Sequence, residues 1–267
     1  MSELLRRFLF ALPAGALFIW LLWIGGLFFE LLLAGIALAV LLEMIFLFRK
    51  MNGRPVAFLA LLTGAVAWSL HRGPDWLLVA GAILMLGAMT SILYRKTGPE
   101  GMNRWGATLF CGLYAPLGLL FFHEIRYLAP ETEGVMLAIL VIVLIWSNDI
   151  FAYGGGRLFG KRPLAPSVSP NKSWEGFWFG MAGSLIALLL MVSISDSISI
   201  DGYLLLPMVP ITGVMGPLGD LAESRFKRWA GVKDSSRLLP GHGGFFDRFD
   251  ALILASPFLW VYLVLIL

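Results

Sequence analysis

The stretch from Ser224 to Asp250, SRFKRWAGVKDSSRLLPGHGGFFDRFD, holds the densest set of chemically capable side chains in this sequence. Arg225, Lys227, Arg228, Lys233, Arg237 and Arg248 lie among Asp234, Asp247 and Asp250, with the turn Gly241-His242-Gly243-Gly244 between them. Cations, a glycine turn and carboxylates of the kind that hold hard metal ions together suit a phosphate chain carrying a divalent cation. Just upstream, Asp220, Glu223 and Ser224 share one helical face by their three- and four-residue spacing, as do Asp247 and Asp250. Two such faces from separate helices can meet as a magnesium site, because magnesium takes one or two carboxylates plus substrate phosphates. Salt bridging, for example of Asp247 with Lys227, is the competing use of the same residues. His242 can orient a carboxylate, donate to a phosphate or cap the turn; His71 and His123 receive no role.

A second constellation lies in Ser147 to Gly176, SNDIFAYGGGRLFGKRPLAPSVSPNKSWEG. Asp149 falls inside an apolar helix, one turn before Tyr153, where an ionisable group is costly and marks function unless it merely pairs with Arg157 or a lysine. Gly154-Gly155-Gly156 is expected to end that helix and let backbone approach a ligand. Lys161, Arg162 and Lys172 supply positive charge. Ser169, Ser173 and the amides near Trp174 and Glu175, where a helix restarts, can receive phosphate oxygens. Glycine triplets alone are weak evidence, and the spacing is not that of a Walker motif.

These residues must be held by a membrane scaffold. The chain of 267 residues is 59% hydrophobic and only 14% charged, against roughly 25% charged in a soluble domain. Its apolar runs are long enough to cross a bilayer as helices, which satisfy their own backbone hydrogen bonds. Nine spans are expected, near 8–24, 29–48, 56–70, 76–94, 105–122, 134–153, 175–195, 202–221 and 249–266, the third being short. Arg6 and Arg7 precede the first run as they would a signal peptide, but the run continues past the small residues of Ala11-Leu12-Pro13-Ala14, which favours a retained helix. With a cytoplasmic N-terminus, 18 of the 20 Lys and Arg residues fall on the cytoplasmic side and only Arg72 and Arg126 outside, as the positive-inside rule requires. The C-terminus then lies outside. Both long polar segments, about 154–174 and 222–248, face the cytoplasm. The single cysteine, Cys111, excludes an intrachain disulfide. One membrane domain is expected, with N-terminal helices over 1–130 and a catalytic part over 131–267.

The string S-R-F-K-R-x4-K-D-x-S-x2-L-P-G-H-G-G-F-x-D-R-F-D, Ser224 to Asp250, resembles the signature of the phosphatidate cytidylyltransferases (CDP-diacylglycerol synthases). Asp149-x-x-Ala152-Tyr153, Gly160-Lys161 and Ser169-Pro170-x-Lys172-Ser173-x-Glu175-Gly176 resemble the same family, Asn171 standing where a small or basic residue is common. The likeness covers about 147–250; residues 1–130 agree only in hydrophobic character and approximate span count. It implies an all-α polytopic membrane fold, often dimeric, embedded in a bacterial inner membrane with its site facing the cytoplasm. It implies the reaction of CTP with phosphatidic acid to CDP-diacylglycerol and pyrophosphate, with Mg2+ and room for a second cation. Asp220 and Asp247 become the leading metal ligands, and Asp149 and Asp250 further acidic site residues.

The chemistry agrees with the residue types. A phosphate monoester is already an anionic nucleophile near neutral pH, so no strong general base is needed. The barrier lies in bringing anions together and spreading charge at the α-phosphorus. Lys172, Lys227, Lys233 and Arg248 suit neutralisation of the triphosphate or lipid phosphate, with Lys161 and Ser173 nearby in sequence, and Gly243 and Gly244 offer amides. A polyprenol kinase or archaeal-type lipid cytidylyltransferase would share this logic, and the product, CDP or pyrophosphate, separates them. A transporter is disfavoured because the charges cluster on one face rather than through the bilayer. Nothing in the sequence suggests nucleic acid as a partner.

Overall fold

The computed structural model describes residues 3–69, 99–236, 238–239 and 243–267. The chain runs through α1 (Glu3–Ile24), α2 (Gly26–Lys50), α3 (Ala57–Ser69), α4 (Pro99–Tyr127) and α5 (Glu131–Phe159). A short antiparallel hairpin of β1 (Pro163–Ala165) and β2 (Ser169–Ser173) follows. Then come α6 (Trp174–Ile194), α7 (Gly202–Leu205), α8 (Met208–Trp229) and α9 (Phe246–Ile266). Among the described residues, six helices are long and apolar enough to cross a membrane, those of α2, α4, α5, α6, α7 with α8, and α9. The expected number was nine. Leu12–Ile24 of α1 and Ala57–Ser69 of α3 are shorter apolar helices within the described residues, and the span expected at 76–94 lies outside them.

The outward surface is greasy. Leu27, Phe28, Leu31, Leu189, Leu190, Ile194 and Leu265 are all exposed, which suits lipid and not water. The protein is an integral membrane protein. Inside, Phe29 and Leu33 of α2, Leu119 and Phe122 of α4, Leu137 and Leu140 of α5 and Phe246 of α9 are fully buried in one continuous core.

Three local expectations are corrected. Gly154-Gly155-Gly156 does not end α5, which continues to Phe159. These glycines serve contact instead: the ring of Phe179 lies where a Gly155 side chain would be, and Gly156 faces Gly176. Gly180 meets Asn148 and Ala152, the ring of Phe151 covers Gly183, and Ser184 Oγ donates to the Leu144 carbonyl at 3.0 Å. Small residues let two membrane helices come close enough for dispersion and interhelical hydrogen bonds to hold them. Secondly, the polar segment near 154–174 holds the end of α5 and then the hairpin, and Trp174 N donates to the Arg162 carbonyl at 2.9 Å to dock it on α6. Thirdly, the helix ending the eighth span continues past 221 to Trp229, so Arg225, Lys227 and Arg228 ride on α8 and not on a loop.

One turn has the backbone its residues suggest. Gly25 and Gly26, with φ of 70° and 57°, join α1 to α2, a conformation only glycine adopts readily.

Candidate active site

Helices α8 and α9 cross where Gly219 lies directly against the backbone of Asp250. A side chain at Gly219 would collide with that carbonyl, so this glycine sets how closely the two helices approach. The approach brings Asp220, Glu223 and Asp250 together, with one carboxylate oxygen of each within 4.8 Å of the others. Glu223 and Asp250 are buried, while the side chain of Asp220 is 43% exposed. The acidic centre is therefore closed at its base and open beside Asp220. Glu223 Oε1 is buried without a hydrogen-bond partner. Tyr114 of α4 lies close enough to Asp250 and Glu223 to interact electrostatically, and its hydroxyl is likewise buried and unpartnered.

Two lysines border this centre. Lys172, carried by β2, reaches Asp220 Oδ2 at 2.5 Å. Lys227, one turn beyond Glu223 on α8, lies 2.7 Å from Glu223 Oε2 and 2.6 Å from Asp247 Oδ1. An ammonium group has three donors, so Lys172 keeps capacity toward a further anion. Ser224 Oγ donates to Asp220 Oδ1 at 3.2 Å. Asp149 of α5 is exposed and lies within electrostatic reach of Asp220 and Lys172. Arg157, the partner that simple pairing would give Asp149, instead reaches the Tyr153 hydroxyl at 3.5 Å.

Asp247 stands differently from its neighbours. Its Oδ2 accepts from the amides of Ser235 (3.0 Å) and Gly244 (2.7 Å) and meets Ser235 Oγ at 2.9 Å, while Oδ1 takes Lys227. Pairing with Lys227, weighed from sequence as the bland use of Asp247, is thus present. The carboxylates that converge are Asp220, Glu223 and Asp250, and Asp247, itself within side-chain reach of Glu223, shares with it the ammonium of Lys227. Gly244 spends its amide on Asp247, so that amide is not turned toward an open phosphate position. Gly243, at φ 83°, leaves Asp247 Oδ2 where its own side chain would be.

The remaining expected residues are scattered. Ser173 Oγ caps α6 by accepting from Gly176 N at 3.1 Å. Glu175 Oε2 accepts from the amides of Lys161 and Arg162 at 3.0 and 3.1 Å, fastening the hairpin's entry to α6. The side chains of Lys161, Lys233 and Arg248 are exposed. Arg237, Gly241 and His242 lie outside the described residues.

Sequence reasoning placed Glu223 on a face able to contribute to a magnesium site without naming it a ligand, and gave no role to Tyr114 or Glu43. Glu223 had a signal, its shared face with Asp220. Glu43 had one too, as an acid within the apolar run of α2; it is 3% exposed and accepts from Ser235, Ser236, Phe245 and Phe246. Tyr114 had none, since an aromatic residue in an apolar helix reads as packing.

Comparison with known proteins places the chain among its relatives. The sequence model of the Cytidylyltransferase family matches residues 5–266. A phosphatidate cytidylyltransferase of Brucella abortus is 35% identical over 266 residues, covering 98% of this chain and 94% of that protein. One from Staphylococcus haemolyticus is 38% identical, covering 97% and 98%. One from Haemophilus influenzae is 42% identical over 146 residues, covering 53% and 50%.

Proposed function

The chain belongs to the cytidylyltransferase family, and we propose that the acidic centre of Asp220, Glu223 and Asp250 is where it acts. The activity is transfer of CMP from CTP to phosphatidic acid. A phosphate oxygen of the lipid bonds to the α-phosphorus of CTP, the bond from that phosphorus to the bridging oxygen breaks, and pyrophosphate leaves with the electron pair. The observation that carries the site reading is the convergence of these three carboxylates between two lysines.

The donor set suits magnesium. All three ligating groups are carboxylate oxygens, which hard divalent cations prefer, and the buried, unpartnered Oε1 of Glu223 is an acceptor that a cation would satisfy. Asp220, Asp250 and Glu223 would hold the ion, with Asp149 near enough to support it or a second cation. When bound, it supplies charge neutralisation for the triphosphate.

The chain's own residues supply the rest. Lys172 stands at the open side of the centre and neutralises phosphate there, helped by the exposed cations Lys161, Lys233 and Arg248. Lys227 keeps the buried acids of α8 and α9 from repelling one another and fixes their spacing. Asp247 ties Ser235 to Gly244 through their amides. No side chain need remove a proton, because the attacking lipid phosphate is already anionic. Residues 131–267 carry the catalytic groups, and the acyl chains of the lipid remain between helices while its phosphate reaches the centre. The basic residues on this face support a cytoplasmic orientation, in a bacterial inner membrane. A homodimeric state rests on the family resemblance alone.

The test is turnover by detergent-purified protein with CTP, phosphatidic acid and Mg2+, following lipid product and pyrophosphate together. Equal amounts of CDP-diacylglycerol and pyrophosphate, abolished by EDTA and by Asp247→Asn in folded protein, are expected. CDP in place of pyrophosphate would mean a kinase. Wild-type turnover in both Asp220→Asn and Asp247→Asn would sink the site assignment.

A further inference from the structure

We propose that Glu43, on α2, is a positioning residue for the acidic centre. It acts from the N-terminal helices, far in sequence from any catalytic group. The proposal rests on the reading of Asp247 and Glu223 as parts of the site.

Glu43 lies about two turns before the end of α2 and is almost wholly buried. Its Oε1 accepts from Ser236 Oγ (2.6 Å) and Phe245 N (2.9 Å), and its Oε2 from Ser235 Oγ (2.7 Å) and Phe246 N (2.9 Å). An ionised carboxylate has about four acceptor positions, so the donors match its capacity. Two donors come from Ser235 and Ser236, before the glycine turn, and two from Phe245 and Phe246, after it. One buried anion thus pins both roots of the turn together. Gly244 sits so close to Ser235 Oγ and to both Glu43 oxygens that a methyl group there would collide with all three. The glycine is required by the anchor itself.

The anchor is connected to the chemistry. Ser235 is fully buried, and its Oγ touches both Glu43 Oε2 and Asp247 Oδ2, at 2.7 and 2.9 Å. A hydroxyl has one proton, so it serves one of these carboxylates at a time, and the two must be held in register for the contact to persist. Asp247 in turn holds Lys227, and Lys227 holds Glu223. Glu43, Ser235, Asp247, Lys227 and Glu223 form a continuous polar chain from α2 to the acidic centre. The N-terminal helices therefore set the geometry of the centre as well as completing the bundle.

Glu43→Gln is the informative variant. It preserves shape but turns two acceptor positions into N–H donors, one of which must then face a backbone N–H that cannot reverse. Glu133→Gln is the control. Glu133 is also a buried acid, accepting from Ser199 N and Oγ, but it stands 16 residues before Asp149 on α5, about 24 Å away along the helix. Well below the melting temperature, Glu43→Gln should lower kcat about 10- to 100-fold, as small misplacements of reacting groups do. KM for CTP should move less than about threefold, the pattern of lost transition-state alignment. The amides of Ser235, Gly244, Phe245 and Phe246 should lose hydrogen-exchange protection while those of α5 keep theirs. Glu133→Gln should leave kcat unchanged. A purely structural role predicts that both variants lower Tm and spare kcat, and that result overturns the proposal. If Asp247→Asn is inactive while Glu43→Gln keeps wild-type kcat, the proposal alone fails. If Asp247→Asn keeps wild-type turnover while Asp220→Asn does not, the link through Asp247 and the proposal fail; if both keep it, the reading of the site fails as well.

Discussion

At the end of the bundle where α1, α4 and α6 finish, Arg126 is buried and donates through Nε to the Leu22 carbonyl at 3.0 Å and through Nη2 to that of Trp23 at 3.4 Å. These are carbonyls of the last turn of α1, which have no partner within their own helix. Nearby in the fold, Glu133 takes the amide and hydroxyl of Ser199, and Gly26 N donates to the Tyr127 hydroxyl at 2.7 Å. Arg126 and Glu133 are each matched by neutral backbone or hydroxyl groups. At the opposite end, Asp220, Glu223 and Asp250 crowd together, two lysines offset them only in part, and Glu223 Oε1 has no partner. Like charges placed this close are unfavourable unless something further joins them. The first end consumes its charges in fastening helix termini, whereas the second retains unfilled acceptors, as a site for cations and phosphates must.

Glu43 falls between these types, fully satisfied like the structural acids yet tied to the unsatisfied centre.

The contrast can be broken by removing one charge at each end. Lys227→Met should have the largest effect, because it leaves Glu223 and Asp247 buried without their shared cation, a loss of roughly 3–5 kcal/mol. Chemical denaturation of the detergent-solubilised variant reads it, and turnover should vanish with it. Asp220→Asn should come next, lowering kcat about 10²–10³-fold with an intact fold and a higher magnesium requirement, read from activity against metal concentration. Arg126→Ala should do the reverse, costing about 1–3 kcal/mol by orphaning buried carbonyls while the folded fraction keeps wild-type kcat. Gly155→Ala sharpens the comparison from the middle of the bundle. It should cost about 1–3 kcal/mol by overpacking against Phe179, visible as a lower Tm, with kcat reduced only as far as the shift of α5 moves Asp149.

Much of the membrane architecture was legible because a bilayer imposes a length and a polarity on every spanning helix. The break between the first two helices, the restart of a helix at Trp174 and most apolar runs appear where the sequence places them. The errors share one cause. Gly154-Gly155-Gly156 was taken for a helix end because glycine is a poor helix former. In a tight helix pair its lack of a side chain is what lets α5 and α6 meet, and the intrahelical hydrogen bonds persist. The extent of α8 past residue 221 was missed for a similar reason, since basic residues read as loop when they lie on the last turns of a helix emerging from the bilayer.

Sequence alone determined the kind of chemistry, because carboxylates, lysines and glycines at those spacings suit few ligands other than metal and phosphate. It also determined the membrane class, because apolar run length maps directly onto bilayer thickness. Only the tertiary structure decided which acids converge. Asp220 and Glu223, already neighbours on α8, meet Asp250 because Gly219 lets α8 and α9 touch, while Asp247 turns to Lys227, Ser235 and the backbone. It also decided that Glu43, 192 residues before Ser235, belongs with the same segment. Contacts between distant parts of a chain depend on how helices pack, and no local spacing records that packing.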